Sequence, residues 1–302
     1  MSAAHRSFSR GWALASCLPV LLLLGLVTGG SPSGSGPAGR PGAAASPGSP
    51  AQPVPPLPGL PDLPPSALGL AAERDGYRLD SGTSDLPADR AAGYAFTVTG
   101  PDGRPVTDFL AHQSEKLHFY AIRSDLTGFQ HLHPAMAADG TWTADLAALT
   151  PGSWRLYASF LPAGGPGKSS ELVLSRTVTV PGQATAVPLP GPAGSTAVDG
   201  YTVTLRSEPA AGAHLLTATV AKDGRPVTDL QPYLDSYAHL SAFHEGDQAL
   251  AHLHPATEAD SEHGGPTLTF RAMLGETGRW RVFLQFRAAG QPHTAELTLA
   301  VG

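Results

Sequence analysis

Asp102-Gly103-Arg104-Pro105-Val106-Thr107-Asp108 recurs unchanged as Asp223-Gly224-Arg225-Pro226-Val227-Thr228-Asp229, and this pair decides the fold. From each copy the sequences align without a gap over 33 positions, 13 of them identical, as far as His131-Leu132-His133-Pro134 and His252-Leu253-His254-Pro255. Gly152-Ser153-Trp154-Arg155-Leu156 then matches Gly278-Arg279-Trp280-Arg281-Val282, after a five-residue insertion in the second copy. A repeat of about 105 residues is the size of one immunoglobulin sandwich. Asp-Gly favours a tight turn and Pro fixes the chain leaving it, so the shared heptapeptide reads as a turn and not as a site.

Around these anchors lie short runs rich in β-branched and aromatic residues, at 94–99, 117–123, 129–133, 154–160 and 172–180, with a parallel series in the second copy. Gly, Pro and Asp turns separate them, and no stretch has convincing helical periodicity. The expectation is an all-β chain of two tandem immunoglobulin-like antiparallel β-sandwich domains, 72–180 and 197–302. A Pro- and Gly-rich linker, 181–196, joins them.

The N-terminal part has a different character. Residues 1–30 read as an export signal, with Arg6 and Arg10 ahead of a fifteen-residue apolar core at 13–27 and small residues at Thr28, Gly29 and Gly30. That core is shorter than the roughly 20 residues of a membrane span. A cleaved signal and a retained anchor both stay open. Leu14-Ala15-Ser16-Cys17 resembles a lipoprotein box, but the apolar run continues beyond the cysteine. Residues 31–71 form a Pro-, Gly- and Ser-rich disordered spacer, with twelve prolines between 31 and 65. The folded part is therefore expected outside the cytoplasm, secreted or held at the membrane by its N-terminal segment.

Bulk chemistry excludes several classes. A net charge of −6 without a basic cluster argues against nucleic acid. Cys17 is the only cysteine, so the folded part has no thiolate for zinc or for a blue-copper site.

What remains is histidine. His118 and His239 each stand thirteen positions upstream of a His-Leu-His, giving His-x12-His-x-His twice. In a strand, residues i and i+2 share a face, so His131 projects with His133 and His252 with His254. Asp125-Leu126-Thr127-Gly128 carries a type I turn signature. If it closes a hairpin, opposed residue numbers sum to 253, and His118 sits diagonally beside His133. Diagonal neighbours lie about 7–8 Å apart, close enough for imidazoles to share an ion at about 2.0–2.1 Å. The expectation is one three-histidine metal site per repeat, His118/His131/His133 and His239/His252/His254. Neutral imidazoles suit copper first and zinc second. Met136 offers a thioether in the first copy, where the second has Thr257. His112, His244, His263 and His293 lack repeated partners and read as surface polar residues.

These motifs support a resemblance. The run Asp125-Leu126-Thr127-Gly128, His131-Leu132-His133-Pro134, Asp139-Gly140-Thr141 and Gly152-Ser153-Trp154 resembles a group of exported bacterial β-sandwich proteins described as heavy-metal-associated or copper-related. In that group an upstream His, an Asp-Leu turn and His-x-His-Pro recur. They map here onto His118, Asp125-Leu126 and His131/His133, and onto His239 and His252/His254 in the second copy, where Gly246-Asp247 replaces Asp-Leu. The resemblance implies metal association; the ion is the expected ligand, and an envelope copper-handling protein is the expected partner class.

Other readings have less to stand on. Gly246, His252, His254, Glu258 and Gly265 fit the first cupin motif, but the first repeat lacks it and the second cupin motif is absent downstream. A three-histidine zinc hydrolase needs a general base, and no acid is repeated at a suitable place. No nucleophile elbow, phosphate loop or dinucleotide fingerprint is present. A non-enzyme is expected: a metal-binding protein that buffers, senses or hands over its ion. The alternative class is a structural or interaction module of the envelope whose histidines serve packing.

Overall fold

The computed structural model describes residues 69–302, apart from Gly167, Ser169, Ala211, Thr257 and the side chain of His252. The export signal and nearly all of the spacer lie outside the described residues.

The first repeat contributes β1 (Glu73–Arg74), β2 (Tyr77–Asp80), β3 (Ala92–Thr99), β4 (Phe109–Leu110) and β5 (Leu117–Arg123). It continues with β6 (Gln130–Leu132), β7 (Ala135–Met136), β8 (Thr141–Leu146), β9 (Gly152–Pro162) and β10 (Leu172–Val180). One sheet runs β1-β2-β3-β8-β7 and the other β10-β9-β5-β6, with β4 also on β9. The second repeat contributes β11 (Ser195–Val198), β12 (Tyr201–Ala210), β13 (Ala213–Lys222), β14 (Arg225–Pro226) and β15 (Ala238–His244). Then come β16 (His252–Pro255), β17 (Thr267–Met273), β18 (Gly278–Ala288) and β19 (Gln291–Val301). Its sheets run β11-β12-β13-β17-β16 and β15-β18-β19, with β14 on β13. All these pairings are antiparallel, and no helix occurs among the described residues. Strands β2-β3-β8-β7 facing β5-β9-β10, and β12-β13-β17-β16 facing β15-β18-β19, reproduce the ABED and CFG sheets of an immunoglobulin sandwich.

The repeated heptapeptide forms a turn in both copies. In the first, Gly100 accepts from the Gly103 N–H at 2.9 Å, and Gly103 has φ 75. In the second, Asp223 and Gly224 both take positive φ between paired Lys222 and Arg225, the two-residue hairpin that Asp-Gly prefers. Each sandwich encloses its own core. Phe96, Phe119 and Trp154 anchor the first, and Phe270, Trp280 and Phe286 the second. Gly128 sits at φ 70 where an added Cβ would run into the Trp154 ring. Gly128→Ala combines backbone strain with overpacking, and is expected to cost about 3 kcal/mol in urea unfolding.

Strand β5 is buried along its whole length, because both of its faces are covered. Leu117, Phe119 and Ala121 enter the first core. Tyr120 and Ile122 point the other way, into a third cluster with Tyr157, Phe243, Leu250 and Phe283. That cluster joins the two repeats, so sheet β10-β9-β5-β6 lies against sheet β15-β18-β19. Phe129 stacks on Phe283 with ring centroids 4.1 Å apart. Tyr157 Oη donates to the Gln248 carbonyl, and Gln248 Nε2 donates to the Arg123 carbonyl at 3.3 Å.

The β5–β6 hairpin departs from its expected register. Tyr120 pairs with His131 and Phe119 with Leu132, so opposed numbers sum to 251 and not 253. The turn is the cause. The Leu126 N–H donates to the Arg123 carbonyl at 2.8 Å and the Arg123 N–H to the Thr127 carbonyl at 3.0 Å. Ser124 and Asp125 therefore form the corner, and Leu126 takes φ 62. A shift of two residues keeps every side chain on its face. The second repeat bridges Phe243 to Leu250, the same register after the 121-residue offset.

Candidate metal centre

The face of β5 that carries Tyr120 and Ile122 also carries His118. On β15 the matching face carries His239, Ser241 and Phe243. Docking of the repeats brings these faces together and lays the His118 and His239 rings parallel, 5.5 Å apart at 7°. His131 enters from β6, its ring 5.3 Å from that of His118 and 4.5 Å from that of His239. One nitrogen from each of His118, His131 and His239 lies within 4.8 Å of the others. Neighbouring donors around a tetrahedral ion at about 2.0–2.1 Å stand roughly 3.3 Å apart, so a small closure suffices.

Second partners fix the outward side of two of these rings. His118 Nε2–H donates to the His112 carbonyl at 2.9 Å. His131 Nδ1–H donates to Gln285 Oε1 at 2.7 Å. Each neutral imidazole then has its lone pair on the remaining nitrogen. Those nitrogens, His118 Nδ1 and His131 Nε2, face each other at 3.0 Å. With this pair of tautomers two lone pairs meet, an arrangement that a cation or a ring proton between them would relieve. Ligand histidines whose other N–H is held by a protein acceptor are the usual metal-site arrangement.

Burial keeps the group unprotonated. Desolvation pushes His118 below its ordinary value, and drives His131 and His239 well below it, the neighbouring imidazoles acting in the same direction. All three offer neutral nitrogens at pH 7, the form a metal requires. Tyr120 stacks on His131 at 4.5 Å and places its Oη 3.2 Å from His239 Nε2. Burial raises that phenol well above its usual range.

The remaining expected ligands fall around this core. His133 stands 5.0 Å from the His118 ring and 4.7 Å from the His131 ring, with Nδ1 3.8 Å from Glu115 Oε1. His254 lies beside His112, ring centroids 5.6 Å apart. The side chain of His252 is outside the described residues. The expected division into one set per repeat thus differs from what the fold assembles: the converging nitrogens come from both repeats, because the ligand faces of β5 and β15 are the docked faces. Met136 packs against the first core.

A family model described as "Domain of unknown function (DUF8832)" matches residues 72–173 and 196–302. The chain belongs to the DUF8832 family. Each sandwich is one DUF8832 copy, and the imidazole group sits where the two copies meet. No curated protein matches the chain. Among solved structures, the FdeC adhesin of Escherichia coli is 15% identical over 77% of this chain, with a TM-score of 0.25. This chain spans 66% of that adhesin chain, slightly under two thirds. A marsupial T cell receptor is 11% identical over 75% of this chain and 96% of its own, with a TM-score of 0.21.

Three contributors around the DUF8832 centre lack a repeated motif in the sequence. Gln285 is the cross-strand partner of His239 on β18, and its counterpart opposite His118 is Ser159. His112 supplies a carbonyl to His118, while its ring Nε2 lies 3.7 Å from Glu171 Oε2. Glu171 also accepts from Ser159 Oγ. The apolar character of β5 on both faces was the available sign of docking. Nothing in the sequence indicated which polar side chains would reach across. The other histidines serve elsewhere: His244 Nδ1 pairs with Asp247 at 2.9 Å and His293 Nδ1 with Asp199 at 2.8 Å.

Proposed function

We propose that this DUF8832 protein is an extracytoplasmic metal-binding protein that holds one divalent transition-metal ion, copper first and zinc second, between its two repeats. It buffers, senses or hands over that ion, and an envelope copper-handling protein is the partner class. The observation that carries the reading is the convergence of one nitrogen each from His118, His131 and His239, with His118 Nδ1 and His131 Nε2 3.0 Å apart and oxygen acceptors on the far side of both rings. An all-imidazole donor set favours Cu(II) over Zn(II) in the divalent series. The export signal at 1–30 supports the location. The reading is of binding and not catalysis.

Elemental analysis of the purified full chain and titration with Cu(II) and Zn(II) test this. One ion per chain is expected. The His131→Ala/His133→Ala double variant should lose affinity by at least about a hundredfold. A chain that takes up neither ion defeats the reading and leaves the packing role, favoured by the stacking of Tyr120, His131 and His239. Unchanged affinity in the double variant removes the assigned site.

A further inference from the structure

The acceptor that fixes His131 belongs to the other repeat and is an amide. Gln285 on β18 presents Oε1 to His131 Nδ1 at 2.7 Å, while its backbone pairs with His239 on β15. An amide has two faces: an oxygen that only accepts and a nitrogen that only donates. With the oxygen towards His131, the ring keeps its proton on Nδ1, and Nε2 meets the His118 lone pair. Half a turn of the amide reverses every step. The Gln285 N–H then donates to His131 Nδ1, the ring proton moves to Nε2, and Nε2–H donates to His118 Nδ1. His118 is unaffected, because its own Nε2–H stays on the His112 carbonyl. One arrangement presents both lone pairs to a cation. The other closes them with an N–H···N bond and satisfies every donor without one.

We propose that Gln285 is a positioning residue whose amide orientation selects the His131 tautomer, and so opens or closes the site to a metal ion. This rests on the metal-binding reading above, though its tautomer step stands independently of any ion. The device is asymmetric. Ser159 holds the equivalent position in the first repeat and donates to Glu171. Only the docked second repeat therefore reaches a first-repeat ligand in this way, and site opening is tied to docking of the repeats. No proton is gained or lost overall. It is relayed from one ring nitrogen to the other, through water, as the amide turns.

The test uses the full chain and two readouts. Nitrogen-15 correlation spectra of the imidazoles assign the His131 tautomer, and Zn(II), which is diamagnetic, serves as the probe ion. Metal-free wild type is expected to populate both tautomers, Nδ1–H with the amide oxygen facing the ring as in this structure and Nε2–H with the amide turned, and to shift wholly to Nδ1–H on saturation with Zn(II). Gln285→Glu offers acceptors only, so its metal-free form should already carry the proton on Nδ1 and bind Zn(II) about tenfold tighter or more. Gln285→Leu, which can neither donate nor accept, should leave a mixture of tautomers with affinity below wild type. The same His131 tautomer in wild type and Gln285→Glu overturns the proposal. A tautomer that responds to Gln285→Glu in a chain that binds no Zn(II) upholds the positioning role and defeats the metal reading alone.

Discussion

Asp125→Ala is expected to lower the unfolding free energy by about 3 kcal/mol at pH 7, the cost of leaving a buried charge unpaired. Asp125 accepts from Arg123 Nε at 2.9 Å and Nη2 at 2.5 Å, from the Thr127 hydroxyl at 2.7 Å, and from the Val187 N–H of the linker at 2.8 Å. Both side chains of the pair are about 10% exposed. Without the carboxylate, Arg123 keeps only neutral oxygens at Thr150, Pro151 and Thr185. The second repeat has an ion pair beside its own turn, Glu245–Arg279, built from other positions, and Arg279 likewise reaches the linker at Leu189. There the side chains are 38% and 40% exposed, so Glu245→Ala should cost under about 1 kcal/mol. Acid separates the two further. Burial opposes the Asp125 charge, but Arg123, the Val187 N–H and Thr127 outweigh it and hold the carboxyl at about 2. A carboxyl lower in the folded than in the unfolded chain stabilises fully above the unfolded value and loses that contribution as pH falls towards 2. Urea midpoints between pH 7 and pH 2 should therefore converge for wild type and Asp125→Ala. A constant gap across that range would show that the carboxylate charge is not what stabilises.

The contrast between those two turns explains what could be read from the chain and what could not. Duplication was plain, because an unbroken heptapeptide and a shared Trp-containing strand start are hard to reach by chance. With it came the sandwich class and the pairing of an upstream histidine with His-Leu-His. The register slipped by two because Asp125 does organise the turn through its side chain, yet does so from the corner and not from the first position. Leu126 at positive φ is what sequence rules argue against, and the observed loop holds three residues where the turn signature implies two. A two-residue error is harmless to faces, and His118 still meets His133. Docking was less accessible. Strand 117–123 is apolar on both faces, which is compatible with a lone buried histidine or with a second layer of protein. Only the second explains Tyr120 and Ile122 as well as His118. Cross-repeat contacts such as Gln285 to His131 depend on how two surfaces meet, and no periodicity in either surface records that.

Saturating Zn(II) is expected to raise the thermal midpoint of the full chain by about 10 °C, and to do so only when both repeats supply ligands. At a free ion concentration a thousandfold above the dissociation constant, binding to the folded state alone adds about 4 kcal/mol. Over roughly 230 described residues that corresponds to about 2–4 °C per kcal/mol. His118 and His131 belong to the first repeat and His239 to the second, so neither sandwich by itself retains the full donor set. Part of the binding free energy must then appear as coupling between sandwiches, beyond what the apolar cluster of Tyr120, Phe243 and Phe283 provides. Calorimetry of wild type and His239→Ala, each with and without Zn(II), isolates the coupling. The buried imidazole of His239 costs stability when removed, whatever its role, so the informative quantity is the ion-induced shift in each protein. Wild type should show the large shift and a single merged transition. His239→Ala should show a shift under about a third of that, with the two sandwiches melting more independently. An equal shift in both proteins would place the ion within the first repeat, and a centre shared across the interface would then have to be abandoned.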